Sequence, residues 1–255
     1  MLERILLTND DGIDAPGLLV MEQIAAELAH EVWVIAPEYD RSGSSHAISL
    51  HTPLRVSERS NRHFAISGTP GDCVAIGLGR ILRGKLPDLV VSGVNLGANL
   101  GVETVFSGTV GAAMTAMFLG VPSFAVSQTY GDRNAVHWDT VRANAPKVLR
   151  QLLSLDVSHP TCLSVNFPDC PSNEVGELKA TRQGHGTLNA VDVITQFDPR
   201  GFEYHWLSLR HTPREEALNA EAVAIEAKNI TVTPLMFERT DEQLLRQLYK
   251  VVGVK

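Results

Sequence analysis

The sequence predicts an α/β fold: a doubly wound, mostly parallel sheet with a C-terminal β-hairpin extension. Three observations indicate this fold: short apolar runs that end in Gly-rich turns, helical segments between those runs, and loss of this rhythm after about residue 170. Strands that alternate with helical segments are typical of parallel sheets joined by crossover helices. We therefore expect an α/β core with the active site over residues 1–170, and over 171–255 a hairpin, loops and a terminal helix that serve oligomerisation.

Four apolar runs are the predicted core strands. Each run is nearly continuous rather than alternating, as expected for a strand that is covered by helices on both faces. The four runs are Ile5–Leu7, Val32–Ile35, Leu89–Val91 and Phe124–Val126.

Three helices between these strands have recognisable first residues. Pro16 suits the first turn of a helix, where its missing N–H costs nothing. Thr69 and Asp72 have the spacing of a capping box, and a third helix is expected to start near Ser107. The alternation of these helices with the strands predicts a doubly wound α/β sheet.

The C-terminal third is predicted to project from this core. Glu203–Leu207 is strand-like, and its residues Tyr204, Trp206 and Leu207 suit one face of a strand laid against another subunit. Thr240 and Gln243 have capping-box spacing before a last amphipathic helix. This helix is expected to run through Leu244, Leu245 and Leu248.

Composition excludes several classes of protein. The formal charge is −7, with 22 Lys and Arg against 29 Asp and Glu, and no basic cluster indicates nucleic-acid polymer binding. No run approaches the roughly 18 apolar residues that span a bilayer, and the N-terminus lacks a signal-peptide pattern, so we expect a cytoplasmic protein without membrane contact. The three widely spaced cysteines are interpreted as reduced thiols.

The strongest site signal is the turn Thr8–Gly12, which contains Asp10 and Asp11 directly after the first predicted strand. Ligands of open α/β sheets bind at the carboxyl ends of strands. Two adjacent carboxylates repel each other unless a hard divalent cation neutralises them. An ordinary solvated acidic turn would also explain the pair if it stood alone.

Three further segments are expected at the same edge. Ser42, beside Gly43 and Arg41, could supply a metal ligand and phosphate contacts, although a plain flexible loop is the alternative. Asn95 offers a neutral oxygen that suits magnesium. The segment 107–109 opens a helix whose N-terminus could bind an anion or could be only a cap. Because all of these polar segments are expected at one edge of the sheet, together they favour a ligand-binding site.

Together these segments resemble the SurE family of survival-protein 5′-nucleotidases. The resemblance spans about residues 4–127, and weaker similarity continues at 166–168, 198–201 and 232–235. The motifs that carry it are Leu6–Gly12, Ala36–Pro37 with Arg41–Gly43, Gly68–Pro70 with Asp72–Cys73, Val90–Asn95 and Ser107–Val110.

The resemblance implies a phosphomonoesterase that hydrolyses nucleoside 5′-monophosphates, and it leaves open whether 3′-nucleotides and polyphosphate are also substrates. It implies one Mg²⁺ or Mn²⁺ per subunit, and a homodimer or homotetramer in which the hairpin region is exchanged. The residues it assigns to the metal are Asp10, Asp11, Ser42 and Asn95. We assign catalysis to Asp10 and Asp11, and substrate binding to Asn9, Ser42, Asn95, Asn99, Ser107, Gly108 and Thr109.

Two segments depart from the family pattern, and several alternatives are weighed against it. Residues 215–229 lack the expected aromatic and Gly residues, and Gly71 replaces a more usual Thr or Ala. His46 could protonate the leaving group, but a partly exposed loop residue is the simpler interpretation. An aspartyl-phosphate phosphatase would need a second Asp two positions on, and a glycosyltransferase usually carries its Asp pair after a later strand. A nucleotide-binding sensor without turnover is the non-enzyme alternative.

Overall fold

The structure is a computed structural model, and it describes residues 1–253. In chain order its strands are β1 (Leu2–Thr8), β2 (Ala29–Pro37), β3 (Val56–Ser60), β4 (His63–Ile66), β5 (Leu89–Leu96), β6 (Ser123–Gln128), β7 (Cys162–Phe167), β8 (Leu178–Ala180), β9 (Leu188–Phe197), β10 (Glu203–His211) and β11 (Ile230–Leu235). Its α-helices are α1 (Pro16–Ala26), α2 (Pro70–Ile76), α3 (Gly108–Phe118), α4 (Trp138–Leu153), α5 (Glu221–Glu226) and α6 (Glu242–Val252).

A nine-stranded sheet has the order β3-β4-β2-β1-β5-β6-β7-β11-β8, and β9 pairs with β10 in a separate hairpin. From β4 to β7 every neighbouring pair is parallel, whereas β3 and β11 each pair antiparallel with their neighbour in that block. The strand order reverses between β1 and β5, so the topological switch point lies there. The structure confirms the predicted doubly wound, mostly parallel fold with a hairpin extension.

Helices cover both faces of the sheet because alternate residues of each buried strand point to opposite sides. Ile5 and Leu7 of β1 belong to the core cluster that contains α1 and α4, whereas Leu6 belongs to the cluster with α2 and α3. Each face therefore has its own apolar core, which explains why the strand sequences are continuously apolar.

The predicted helix starts at the first three helices are confirmed. Pro16 opens α1, and Thr69 and Asp72 form both hydrogen bonds of a capping box at α2. Ser107 caps α3 by accepting a hydrogen bond from the N–H of Val110. The prediction for α6 is wrong by one residue, because Asp241 rather than Thr240 accepts the capping hydrogen bond.

The C-terminal third is less separate from the core than the sequence suggested. Strands β11 and β8 return to the main sheet, where Thr231 of β11 pairs with Asn166 of β7. The division at residue 170 stays a prediction. The assignment of Tyr204, Trp206 and Leu207 to one face is wrong, since Leu207 directly follows Trp206 and consecutive strand residues point to opposite faces.

Two elements beyond the sheet have little cover from the described part of the chain. Both faces of the β9–β10 hairpin are largely exposed, and α6 has no buried residue among those described. No helix within residues 1–253 is both long and apolar enough to cross a lipid bilayer.

Candidate active site

The carboxyl ends of β1 and β5, the loop after β2 and the start of α3 meet around one cavity at the switch point. Its volume is about 200 Å³. Five of the residues predicted for the site line this cavity, namely Asp10, Ser42, Asn95, Asn99 and Ser107. The fold therefore brings together side chains that are up to about a hundred residues apart in sequence. This agrees with the general observation that ligands of open α/β sheets bind at the carboxyl ends of the strands.

Asp10 is the buried carboxylate of the pair, with 4% of its surface exposed. The hydroxyl of Thr109 donates a hydrogen bond to Asp10 Oδ1, and the N–H of Arg41 donates one to the Asp10 carbonyl at 2.7 Å. Burial raises the pKa of Asp10, while the Thr109 hydroxyl opposes this shift. A buried carboxylate with a raised pKa and one fixed donor is a typical functional group.

Asp11 does not line this cavity but a neighbouring one, and Leu96 lines both. Its Oδ2 accepts a hydrogen bond from the N–H of Leu96 at 3.1 Å, and its side chain lines the neighbouring cavity with Asp40 and Arg133. Burial, and next the negative charge of Asp10, raise the pKa of Asp11 to about 6. The two carboxylates thus repel each other, and a cation between them would relieve that repulsion.

Neutral oxygens complete a donor set that suits a hard cation. Asn95 donates through Nδ2 to the carbonyl of Gly97 at 2.8 Å, which leaves its Oδ1 as an acceptor. Ser42 is exposed at the cavity, and its N–H donates to Asp40 Oδ1 at 2.7 Å. No three His, Cys, Asp or Glu side chains cluster as metal ligands within residues 1–253. A cation here would therefore be bound by two carboxylates and by neutral oxygens, a set that fits magnesium or manganese.

The other side of the cavity offers donors for an anion. The cap of α3 is Ser107, and the N–H groups at the start of this eleven-residue helix point along its axis toward the cavity end. Asn99 is fixed from both sides, since its N–H donates to Asn166 Oδ1 at 2.8 Å and its Nδ2 donates to Ser127 Oγ at 2.8 Å. A phosphate could be held between this helix and the carboxylate edge.

The side chains of two predicted substrate-binding residues, Asn9 and Thr109, make hydrogen bonds to protein groups. Asn9 is fully buried and donates through Nδ2 to the carbonyl of Gly12 at 2.8 Å, which stabilises the acidic turn. The Thr109 hydroxyl is used by Asp10, so only its backbone N–H remains for a ligand. Neither side chain lines the cavity, and their contact with substrate stays a prediction.

The side chains of His46 and Arg41 contact groups other than the two carboxylates. His46 lines a different cavity with Met114 and has its Nε2 3.3 Å from the Met114 sulfur; burial lowers the pKa of this imidazole. The Arg41 guanidinium donates to the carbonyl of Ser67 at 3.4 Å and so braces its loop. This placement favours the simpler interpretation of His46 as a loop residue.

The sequence did not single out Glu103, Phe106 and Leu209, which also line the cavity. Burial raises the pKa of Glu103, and the neighbouring His211 opposes that shift. Glu103 and Phe106 could have been considered from their position just before Ser107. Leu209 could not, because it comes from the hairpin and reaches the site only through the tertiary fold.

This chain is similar in sequence to proteins of one known family. The sequence model of the family described as "Survival protein SurE" matches residues 5–190. The protein named 5′-nucleotidase SurE 1 from Burkholderia lata is 54% identical over 253 residues, which cover 99% of this chain and 98% of that protein. A 5′-nucleotidase SurE from Rhodopseudomonas palustris is 46% identical over 254 residues, with 98% and 100% of the two chains covered.

A solved structure has the same fold over nearly the whole chain. The crystal structure of the SurE protein from Aquifex aeolicus superposes with a TM-score of 0.82 at 30% sequence identity, and the match covers 98% of this chain and 100% of that chain. The matched region includes the acidic turn, the loop after β2, the end of β5 and the start of α3. The chain therefore belongs to the SurE family.

Proposed function

We propose that this chain is a metal-dependent 5′-nucleotidase that releases phosphate from nucleoside 5′-monophosphates. The observation that carries the proposal is the placement of Asp10 in one cavity with neutral oxygens and with the start of α3, with Asp11 beside it. This arrangement pairs a cation site with an anion site, which is what a phosphate monoester dianion requires. The names of the Burkholderia and Rhodopseudomonas relatives support the same activity.

The proposed metal ligands are Asp10, Asp11, Ser42 and Asn95. Their fit rests on two mutually repelling carboxylates and on an amide oxygen that the hydrogen bond to Gly97 leaves available. When bound, Mg²⁺ or Mn²⁺ would neutralise charge on the phosphoryl oxygens and make a water molecule a better nucleophile. These four residues would bind one cation per subunit.

The chain's own groups would orient the ester. The N–H groups at the start of α3 and the Asn99 side chain would hold phosphoryl oxygens, and they would stabilise the charge that develops on them during transfer. Asp10 is fixed for its role by the Thr109 hydroxyl. Either carboxylate could also accept a proton from the attacking water.

Phosphate release from purified protein tests this proposal. Nucleoside 5′-monophosphates are assayed beside 3′-nucleotides and polyphosphate, with chelator and then with added Mg²⁺ or Mn²⁺. We expect chelator to abolish turnover and either cation to restore it. Undiminished hydrolysis in excess chelator would contradict the metal requirement. Nucleotide binding without any phosphate release would instead support a sensor on the same fold.

A further inference from the structure

The active-site cavity has three chemically different walls. Asp10, Asn95 and Ser107 form a polar end that suits the phosphate. Phe106 and Leu209 are 44% and 48% exposed and contribute apolar surface to the same cavity. Glu103 adds a carboxylate between the helix start and the hairpin, a group that neither the metal nor the phosphate requires.

Glu103 is held rigidly enough to act as a recognition group. Its carbonyl accepts hydrogen bonds from the N–H of Phe106 at 2.9 Å and of Ser107 at 3.2 Å, so one helical turn joins it to the cap of α3. Its side chain is 19% exposed, and its Oε1 lies 3.3 Å from Nδ1 of His211 in β10. Within the described chain, Oε2 has no hydrogen-bond partner. One carboxylate oxygen is thus fixed by the hairpin and the other is left for a ligand.

These three kinds of lining match the three parts of a nucleoside monophosphate. Its ribose separates the phosphate from the base and presents vicinal hydroxyl groups, which are hydrogen-bond donors. A carboxylate accepts such donors strongly, because an ionised acceptor makes roughly twice as strong a hydrogen bond as a neutral one. A base between Phe106 and Leu209 would gain apolar and aromatic contacts.

We propose that Glu103 accepts a hydrogen bond from the ribose 2′-hydroxyl of the substrate and makes the enzyme selective for ribonucleotides over 2′-deoxyribonucleotides. This inference rests on the proposed nucleotidase function and adds a specificity-determining residue to it. A 2′-deoxyribonucleotide lacks this hydroxyl and would leave Oε2 of Glu103 without the donor, so a site built to bind the hydroxyl discriminates against that substrate.

The competing explanation is that Glu103 only anchors the hairpin through His211. His211→Asn separates the two explanations, because it removes the imidazole ring and leaves the Glu103 carboxylate in place. Under a purely structural role, Glu103→Ala and His211→Asn would alter kinetics in the same way. Under the recognition role, only the Glu103 variants change the choice between the two sugars.

The experiment compares kcat/KM for adenosine 5′-monophosphate and 2′-deoxyadenosine 5′-monophosphate in wild type, Glu103→Ala, Glu103→Gln and His211→Asn. We expect the wild type to prefer the ribonucleotide by about tenfold, the size of one hydrogen bond to a charged group. The ratio should fall close to one in Glu103→Ala, take an intermediate value in Glu103→Gln, and stay near wild type in His211→Asn. Glu103→Gln conserves shape, so it decides the question if the alanine variant does not fold.

An unchanged ratio in the Glu103 variants, a wild type without sugar preference, or an equal loss in His211→Asn would each overturn the inference. Failure of the proposed function has a different signature. Wild type would then release no phosphate from either nucleotide or from p-nitrophenyl phosphate with Mg²⁺ or Mn²⁺ present. Calorimetric binding of the same two nucleotides to the same variants would in that case decide the role of Glu103.

Discussion

Gly108, the first residue of α3, lies directly against Asp10. A β-carbon at position 108 would lie 2.8 Å from Cβ and 2.9 Å from Oδ2 of Asp10, and 2.7 Å from the hydroxyl of Ser44. Contacts this short between non-bonded atoms are strongly repulsive, so only glycine lets the helix start approach the carboxylate. The close approach places the proposed anion-binding end of α3 beside the proposed metal ligand.

Gly108→Ala should therefore impair catalysis by displacing the Asp10 carboxylate. We expect kcat/KM for nucleotide hydrolysis to fall at least about tenfold, with a stability loss of about 1–3 kcal/mol from overpacking. The matched control is Gly79→Ala, where a β-carbon meets nothing within 4 Å. That variant should keep its activity and unfold at an equal or slightly higher temperature. Full activity in Gly108→Ala would contradict the assignment of Asp10.

Asp10→Asn and Asp11→Asn should each cost at least about two orders of magnitude in kcat/KM, or roughly 2.7 kcal/mol of transition-state stabilisation. Folding should be preserved, since the loss of one of two repelling charges relieves strain in the metal-free protein. Asp14→Asn, at an exposed position two residues after this turn, is the control and should remain active. A soluble Asp10 or Asp11 variant with near-normal turnover would mean that the acidic turn is only a solvated loop.

Much of this site could be predicted, because several of its residues lie at the ends of strands, and the continuous apolar sequence of these strands identifies them as buried parallel strands. Asp10 follows the end of β1, and Asn95 lies at the end of β5. Because both strands are buried and parallel, the fold class alone predicts that these two residues meet at one edge of the sheet. Both faces of β1 are buried, which explains why its apolar sequence is continuous and easily recognised.

Other features depend on contacts between distant segments and leave no local pattern. The hydroxyl of Thr109 donates a hydrogen bond to Asp10, which is 99 residues away in the sequence, and no motif indicated this contact. Leu209 enters the cavity from a hairpin whose position a sequence cannot provide. The return of β11 to the main sheet was missed, because an antiparallel strand that follows a long insertion breaks the alternation of strands and helices on which the prediction depended.

Glu221 connects this late part of the chain to the active-site loop. It is 1% exposed; its Oε1 accepts from the N–H of Gly101 at 2.5 Å and its Oε2 from the Thr233 hydroxyl at 2.7 Å. Burial raises its pKa above the ordinary value of 4.5, although both hydrogen bonds oppose the shift. The folded protein thus binds this proton more tightly than the unfolded chain does.

The stability that Glu221 contributes should depend on pH in a defined direction. Because its folded pKa is raised, the contribution is fully present below about pH 4.5 and is lost as the pH rises through the folded pKa. The unfolding free energy of wild type minus that of Glu221→Gln should therefore decrease between pH 4 and pH 8, measured by urea denaturation. Glu226→Gln, an exposed position on the same helix, should show no such slope. A difference that increases with pH would show that the carboxylate is stabilised in its charged form.

The apolar surface of the C-terminal extension is the last feature with a testable consequence. The β9–β10 hairpin exposes Val193 and Leu207 on one face and Ile194 and Trp206 on the other, each pair directly across the ladder. An isolated two-stranded ribbon is at best marginally stable in water. Helix α6 adds exposed leucines on its apolar side. Both elements thus need cover that the described part of the subunit does not supply.

We therefore propose a homodimer or larger even-numbered oligomer in which the hairpin is laid against another subunit, since a symmetric assembly covers the same apolar patch on every copy. Light scattering of the full-length protein at micromolar concentration should give a mass of two or four subunits. Val193→Lys with Leu207→Lys places two like charges opposite each other on one hairpin face and should yield smaller species, as should deletion of residues 198–210. The control is Glu226→Gln, which lies on an exposed helix position outside both elements and should leave the mass unchanged. A monomeric wild type would refute the assembly, and it would leave the assignment of the carboxylate site intact because Asp10, Asp11 and Asn95 all come from the α/β core of a single chain.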